Sequence, residues 1–148
     1  ICNMKDLDQT TNSNWTIVFI CWIVAIVSTL GSLFFSEIME FPPCALCWYQ
    51  RIFMFPLVFI LLAGLFPFDR NIIKYALPLA LTGGGFAFYH YLLYSGFIPE
   101  SLQPCSQGVS CSETYLELFG FLTIPMLSLI SFWTITVLLL ILKRRLSQ

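Results

Sequence analysis

Residues Trp15 to Phe35 read WTIVFICWIVAIVSTLGSLFF, and this stretch decides the fold. Its 21 residues include no charged side chain, and a helix needs about 20 mostly apolar residues to cross the hydrocarbon core of a bilayer. Three later stretches are also long and mostly apolar. We therefore predict an all-α membrane protein, a bundle of four transmembrane helices at about 15–35, 48–68, 72–94 and 119–142. Nothing remains for a second domain, so residues 1–148 form a single membrane domain.

The composition supports a membrane location. Of the 148 residues, 58% are hydrophobic and only 10% are charged, which is far more apolar than a soluble domain of this size. The first stretch is too long for the apolar core of a cleaved signal peptide and is followed by three more, so we expect all four helices to remain. The net charge of −1 and the scattered basic residues argue against a nucleic-acid partner.

Basic residues are divided unequally between the two sides of the predicted domain. Four spans place both termini and residues 69–71 on one side, and residues 36–47 and 95–118 on the other. Only Arg51 lies toward the second side, and the other basic residues lie with the termini: Lys5, Arg70, Lys74, Lys143, Arg144 and Arg145. An excess of Lys and Arg marks the cytoplasmic side. We therefore expect cytoplasmic termini and two outer loops.

Four of the six cysteines fall in these outer loops, as the pairs Cys44 and Cys47, and Cys105 and Cys111. One interpretation is a non-enzymatic membrane scaffold whose loops are held by two static disulfides. The alternative is redox chemistry, which the two-residue spacing of the first pair favours, because such a disulfide closes little loop and exchanges readily. Four cysteines could also bind zinc, but an oxidising exterior competes for the thiolates and no further ligand accompanies them, so we predict no metal site.

The positions of these cysteines add to their expected reactivity. Cys44 follows two prolines where the second helix should begin, so Cys47 falls in the first turn, where free N–H groups and the helix dipole favour a thiolate. Arg51 follows four residues after Cys47 and should share its helix face. Ser110 and Glu113 have the spacing of a capping box, which predicts a short amphipathic helix in the second outer loop.

Two ionisable side chains, Arg51 and His90, should lie within the membrane near its outer face, where such residues suggest a function. A quinone headgroup needs a flat apolar pocket, a donor for a carbonyl that becomes anionic on reduction, and a source of protons. Arg51 suits the role of the donor, and His90 suits the role of the proton source. The alternatives are that Arg51 snorkels to the interface and that His90 forms a hydrogen bond between helices.

Two other features of the spans are expected to serve packing. Cys21 stands alone in the first span, where a thiol behaves as a small apolar group. Gly83, Gly84 and Gly85 in the third span would let another helix approach closely.

The run Glu40-Phe41-Pro42-Pro43-Cys44-Ala45-Leu46-Cys47-Trp48-Tyr49-Gln50-Arg51 resembles the signature of the DsbB/BdbC disulfide-bond formation proteins. The similarity extends over essentially the whole chain, with a second outer cysteine pair and a Phe-Gly-Phe-x-Thr-Ile-Pro sequence at Phe119 to Pro125. Only five residues separate Cys105 from Cys111, which is closer to the Bacillus BdbC type than to the Gram-negative DsbB branch.

The resemblance implies a membrane thiol-disulfide oxidoreductase that reoxidises an extracytoplasmic thioredoxin-fold oxidase, DsbA-like or BdbD-like, and so supports disulfide formation in exported proteins. It implies a mixed disulfide between that partner and Cys105, resolution by Cys111, exchange of Cys111 with Cys44, and a Cys47 thiolate that passes electrons to a quinone beside Arg51. The BdbC type implies menaquinone rather than ubiquinone, and a Gram-positive plasma membrane.

A vitamin K epoxide reductase-like quinone reductase is a related alternative, since it also combines a four-helix bundle, a Cys-x-x-Cys pair and a quinone. Those proteins carry the pair at the end of a late helix. Here the pair precedes the second span, so the chain order favours the DsbB/BdbC interpretation.

Overall fold

A computed structural model describes residues 4–40, 44–97, 99, 117–118 and 122–148 of the protein. Within these residues the elements, in chain order, are α1 (Met4–Leu33), a π-helical turn (Phe34–Ile38), α2 (Ala45–Leu65), α3 (Ile72–Tyr94), β1 (Glu117–Leu118), β2 (Leu122–Thr123) and α4 (Ile124–Ser147). The predicted all-helical class is confirmed, apart from one antiparallel pair of two-residue strands.

Three helical segments in the described part of the chain are long and apolar enough to cross a membrane: Asp8–Ile38, Ala45–Leu65 and Ile124–Ser147. Helix α3 has the bounds predicted from the sequence, but it carries Lys74 and the three weakly hydrophobic glycines of Gly83–Gly85, and it does not reach the same hydropathy. Large apolar side chains face outward from the bundle; Phe59, for example, is 71% exposed. A surface of this kind suits lipid better than water.

The four helices close into a bundle. Helix α1 packs against α2, α2 against α3, α3 against α4, and α4 against α1. Cys21 is fully buried in the shared core, so its predicted packing role is confirmed. A Cβ atom at Gly83 would overlap the ring of Phe132 on α4, which confirms the packing interpretation at this position. The absence of a side chain at Gly83 thus lets α3 and α4 lie close together.

Contacts between the helix ends fix which segments share an end of the bundle. Arg145 on α4 donates a hydrogen bond from Nη1 to the Ser13 Oγ atom on α1, at 2.7 Å. Trp15 on α1 packs edge-on against Phe66, directly after α2, with ring centroids 6.3 Å apart. One end of the bundle therefore holds the start of α1, the end of α4 and the turn between α2 and α3. The opposite end holds the start of α2.

The start of α4 corrects the boundary predicted from the sequence. The helix begins at Ile124 rather than near Phe119, because Glu117–Leu118 pairs antiparallel with Leu122–Thr123. Pro125 falls in the first turn of α4, where its missing N–H group costs no hydrogen bond. The amphipathic helix predicted in the second outer loop lies outside the described residues.

Candidate redox site

We call Cys44 and Cys47 the inner pair, and Cys105 and Cys111 the outer pair. The inner pair lies at the start of α2. Cys44 is the N-cap residue, with an extended backbone, and Cys47 follows in the first turn, as predicted. The Cys44 carbonyl accepts a 3.2 Å hydrogen bond from the Trp48 N–H group, which is the first turn of the helix. The two sulfur atoms are free thiols 3.2 Å apart. Cys44 is buried and Cys47 is half-buried.

His90, on α3, is the third member of the site. It is only 3% exposed, and its Nε2 atom lies 3.8 Å from the Cys44 sulfur. Its Nδ1 atom is 2.9 Å from the side-chain nitrogen of Gln50 on α2. When the Gln50 amide donates to Nδ1, the neutral ring carries its proton on Nε2, directed at the Cys44 sulfur. The same contact is a hydrogen bond between two helices, which was the alternative interpretation of His90.

The surroundings of Cys44, which precedes the apolar segment of α2, favour its thiolate. The hydrogen bond with Cys47 holds the pKa of Cys44 well below its ordinary value, burial opposes this shift, and the hydrogen bond with His90 lowers the pKa further. The positive end of the α2 dipole acts in the same direction as the hydrogen bonds. We therefore expect the negative charge of the reduced pair on Cys44, and not on Cys47, to which the resemblance assigns the thiolate.

Arg51 lies one turn beyond Cys47 on α2 and reaches across to α1. It donates from Nε to the Ser32 hydroxyl at 2.8 Å and from Nη2 to the Ser32 carbonyl at 2.9 Å. The guanidinium also lies over the Trp48 ring, 5.3 Å from its centroid. The side chain is 9% exposed. The side chain is therefore held inside the bundle. Snorkelling would instead require it to extend along the outer surface.

Aromatic rings form a stack next to the cysteine pair. Phe86 on α3 stacks against Tyr49 on α2, with centroids 5.4 Å apart, and against Phe53 one turn further along, with centroids 5.5 Å apart. Phe86 also packs, together with Cys47, against the small buried cluster that contains Cys44. The thiols are thus bordered by a flat apolar wall.

The structure brings three of the predicted site residues together, namely Cys44, Cys47 and His90, and places Arg51 one turn further along α2. The outer pair, Cys105 and Cys111, lies outside the described residues.

Two polar residues of the site were missed in the sequence. Gln50 carried a signal, because an uncharged amide inside an apolar span needs a partner. Ser32 gave no such signal, since serine is common in membrane helices and its hydroxyl can form a hydrogen bond with the backbone of its own helix.

The cluster also corrects one argument made from the sequence, that no further metal ligand accompanies the cysteines. The sulfur atoms of Cys44 and Cys47 and a ring nitrogen of His90 all lie within 4.8 Å of one another. The third ligand was invisible because it comes from a different helix. Thiolate and imidazole are the ligands that zinc prefers.

Comparisons with known proteins agree with the resemblance seen in the sequence. Residues 13–142 match the family model described as Disulfide bond formation protein DsbB. Disulfide bond formation protein C of Bacillus subtilis is 47% identical over 133 residues, which cover 88% of this chain and 95% of that protein. A Probable disulfide formation protein of Metapseudomonas resinovorans is 45% identical over 138 residues, covering 93% of this chain and 96% of that protein. No solved structure gives a significant match.

Proposed function

Because the chain belongs to the DsbB family of disulfide bond formation proteins, we propose that it is an enzyme that reoxidises a dithiol partner outside the cytoplasm and passes the electrons to a membrane quinone. One observation carries this proposal. The two inner sulfur atoms lie 3.2 Å apart at a helix N-terminus, and an imidazole from another helix is directed at one of them. A static disulfide needs neither the imidazole nor a helix terminus that stabilises a thiolate.

The inner pair is proposed to take electrons from the outer pair by thiol-disulfide exchange. A Cys111 thiolate attacks Cys44 in the Cys44–Cys47 disulfide, and Cys47 leaves as the thiolate. Cys105 then attacks Cys111, which closes the outer disulfide and releases Cys44. The lowered pKa of Cys44 makes it a good leaving group for this second step. Two electrons have then passed to the inner pair.

The residues beside the inner pair fit a quinone headgroup. Arg51 provides a cation that Ser32 holds in place, and the Trp48 ring beside it provides a flat apolar face. When bound, a quinone accepts two electrons and two protons, which is what one dithiol releases as it becomes a disulfide. His90 is placed to move one of these protons at Nε2, next to the Cys44 sulfur. The likeness to the BdbC type leads us to propose menaquinone.

The partner is proposed to be a thioredoxin-fold oxidase of the DsbA or BdbD kind. Its thiolate would attack the outer disulfide at Cys105, forming a mixed disulfide and freeing Cys111 for the next exchange. The partner's second cysteine, and not Cys111 as the resemblance implies, would then release Cys105 and leave the partner oxidised. Attack by Cys111 on Cys105 would only re-form the outer disulfide and return the partner to its reduced state. Oxidation of exported proteins by that partner would complete the pathway.

We propose that α3 is the fourth span, with both termini in the cytoplasm. Helix α3 packs between α2 and α4, and it carries His90 to the same end of the bundle as Cys44. In intact cells that express the protein, a membrane-impermeant maleimide should label Cys105 and Cys111 after reduction. A cysteine introduced by Ser147→Cys should react only after permeabilisation, and the opposite pattern would overturn this orientation.

The proposed setting is a Gram-positive plasma membrane. The relatives from Bacillus and from Metapseudomonas match at nearly equal identity, so identity does not decide between the two settings. The proposal rests instead on the short spacing of Cys105 and Cys111, which resembles the Bacillus BdbC type.

The proposal is tested by the steady-state reduction of a menaquinone analogue by a small dithiol, with the protein in detergent. We expect turnover with the unaltered protein and none with Cys47→Ser. Cys105→Ser should retain part of the activity with a small dithiol but lose it with a reduced thioredoxin-fold oxidase, because only the protein partner needs the outer pair. Background rates with every variant would instead favour a scaffold with static disulfides.

A further inference from the structure

The reduced inner pair and His90 form a cluster with more than one chemical use. Two thiol sulfurs and one imidazole nitrogen lie within 4.8 Å of one another, supplied by the first turn of α2 and the last two turns of α3. Transfer of electrons through the pair requires two sulfurs that can form a disulfide. It does not require an imidazole nitrogen close enough to bind the same metal ion as both sulfurs.

We propose that the reduced Cys44–Cys47 pair and His90 form a three-ligand site for a thiophilic divalent cation, Zn²⁺, that exists only when the pair is reduced. Binding releases the two thiol protons and forms two metal–sulfur bonds and one metal–nitrogen bond, with no electron transferred. Oxidation of the pair to a disulfide consumes both thiolates and abolishes the site. This inference stands on the geometry of the three residues and does not depend on the quinone chemistry.

Two of the three distances between the ligand atoms are close to those of a tetrahedral zinc site, and the third, between the Cys47 sulfur and the His90 ring nitrogen, is within 4.8 Å. Zn–S bonds of about 2.3 Å and Zn–N bonds of about 2.0 Å place two sulfurs about 3.8 Å apart, and a sulfur and a nitrogen about 3.5 Å apart. The Cys44 sulfur lies 3.2 Å from the Cys47 sulfur and 3.8 Å from the His90 nitrogen. The sulfurs need to separate by only about half an ångström, which a change of one side-chain torsion supplies.

Gln50 is suited to support both states of His90. In the metal-free protein its amide N–H group donates to Nδ1. A metal on Nε2 requires the proton on Nδ1 instead, and a rotated Gln50 amide can accept that proton through its carbonyl oxygen. Partners of this kind orient metal-binding histidines, and their loss costs about 10-fold to 100-fold in metal affinity.

Three protein ligands leave the fourth tetrahedral position open, as in zinc sites that also bind water or substrate. Zn²⁺ held in this way would keep both sulfurs as thiolates and block their return to a disulfide. This consequence, unlike the site itself, rests on the proposed function: the cation would inhibit the protein after electrons have entered, and not before. Inhibition should accordingly require incubation with both dithiol and metal.

The test uses the full chain in detergent with the outer thiols removed by Cys105→Ser and Cys111→Ser. The protein is reduced, desalted without oxygen and titrated with Cd²⁺, whose bonds to thiolates absorb in the ultraviolet. Zn²⁺ is then measured by competition with a coloured chelator. We expect one equivalent of metal per reduced protein and none per oxidised protein. Gln50→Leu should weaken binding about tenfold, whereas the matched exposed change Gln9→Leu and the buried change Cys21→Ser should leave it unaltered.

His90 decides whether the site has a third ligand. His90→Gln should weaken binding by at least tenfold. His90→Cys should retain tight binding and raise the Cd²⁺ absorption to that of three thiolates, which guards against a variant that simply fails to fold. Equal affinity of the unaltered protein and both variants would overturn the proposal, as would equal binding by the oxidised protein.

Discussion

Replacing Gln50 by leucine would remove the group that orients His90 without touching a cysteine. His90 is 3% exposed, and its Nδ1 atom accepts a 2.9 Å hydrogen bond from Gln50. Leaving a buried acceptor without a partner costs about 1–3 kcal/mol. If the whole cost falls on the ring orientation that aims Nε2 at Cys44, the rate of quinone reduction should fall between about 5-fold and about 150-fold.

The assay measures kcat and KM for dithiol-dependent quinone reduction and compares four proteins. Gln50→Leu should lower kcat, because the ring no longer holds a proton beside Cys44. Gln50→Glu should recover most of the rate, since a carboxylate at the same place accepts a hydrogen bond from Nδ1–H of the protonated ring. Gln9→Leu is the matched control, because Gln9 is exposed on α1, far from the cysteines.

Two results would refute this reasoning. A Gln50→Leu protein with an unchanged kcat would show that the orientation of His90 has no effect on the rate. Equal losses in Gln50→Leu and Gln50→Glu, accompanied by a lower unfolding temperature in both, would show that Gln50 serves only to join α2 to α3.

Two further predictions concern the positioning of Arg51 and the packing of the bundle. Ser32→Ala removes one hydrogen bond to the charged Arg51, worth about 1.5 kcal/mol or more, so KM for the quinone should rise about tenfold. Ser28→Ala, one turn earlier, should not change KM, since that hydroxyl bonds to its own helix. Gly83→Val places a side chain against an aromatic ring of α4 and should destabilise the bundle by about 1–3 kcal/mol. A Cβ atom at Gly85 meets no atom within 4 Å, so Gly85→Val should leave the unfolding temperature close to that of the unaltered protein.

The helices could be predicted because side chains that face lipid and side chains that face the bundle core are both apolar. Each helix therefore appears in the sequence as a long apolar run that polar or turn residues end. Helix α3 has the bounds expected from the sequence. The placement of Cys47 in the first turn of α2 also followed from local chemistry, since the preceding prolines cannot continue a helix upstream.

The start of α4 was missed because apolarity alone cannot separate a short strand from a helix. Residues 122 and 123 belong to β2, although they sit in an apolar run. Pro125 was the available signal, because proline is favoured in the first turn of a helix.

The contacts of the site could be predicted only in part. Matching depths in the bundle suggested that Arg51 and His90 lie near one site, but depth does not fix how each helix is rotated about its axis. That rotation turns His90 toward Cys44 and Gln50, and turns Arg51 toward Ser32 on α1. These pairings depend on packing between helices, which no local pattern of residues encodes.

The most direct test of the central claim is a single turnover without oxygen. Protein carrying Cys105→Ser and Cys111→Ser is fully reduced, freed of reductant and mixed with one equivalent of a menaquinone analogue. We predict one quinol per protein and, by mass spectrometry after alkylation, a new disulfide between Cys44 and Cys47. If the quinone stays oxidised while both cysteines remain alkylatable, the inner pair does not pass electrons to a quinone, and the account is wrong.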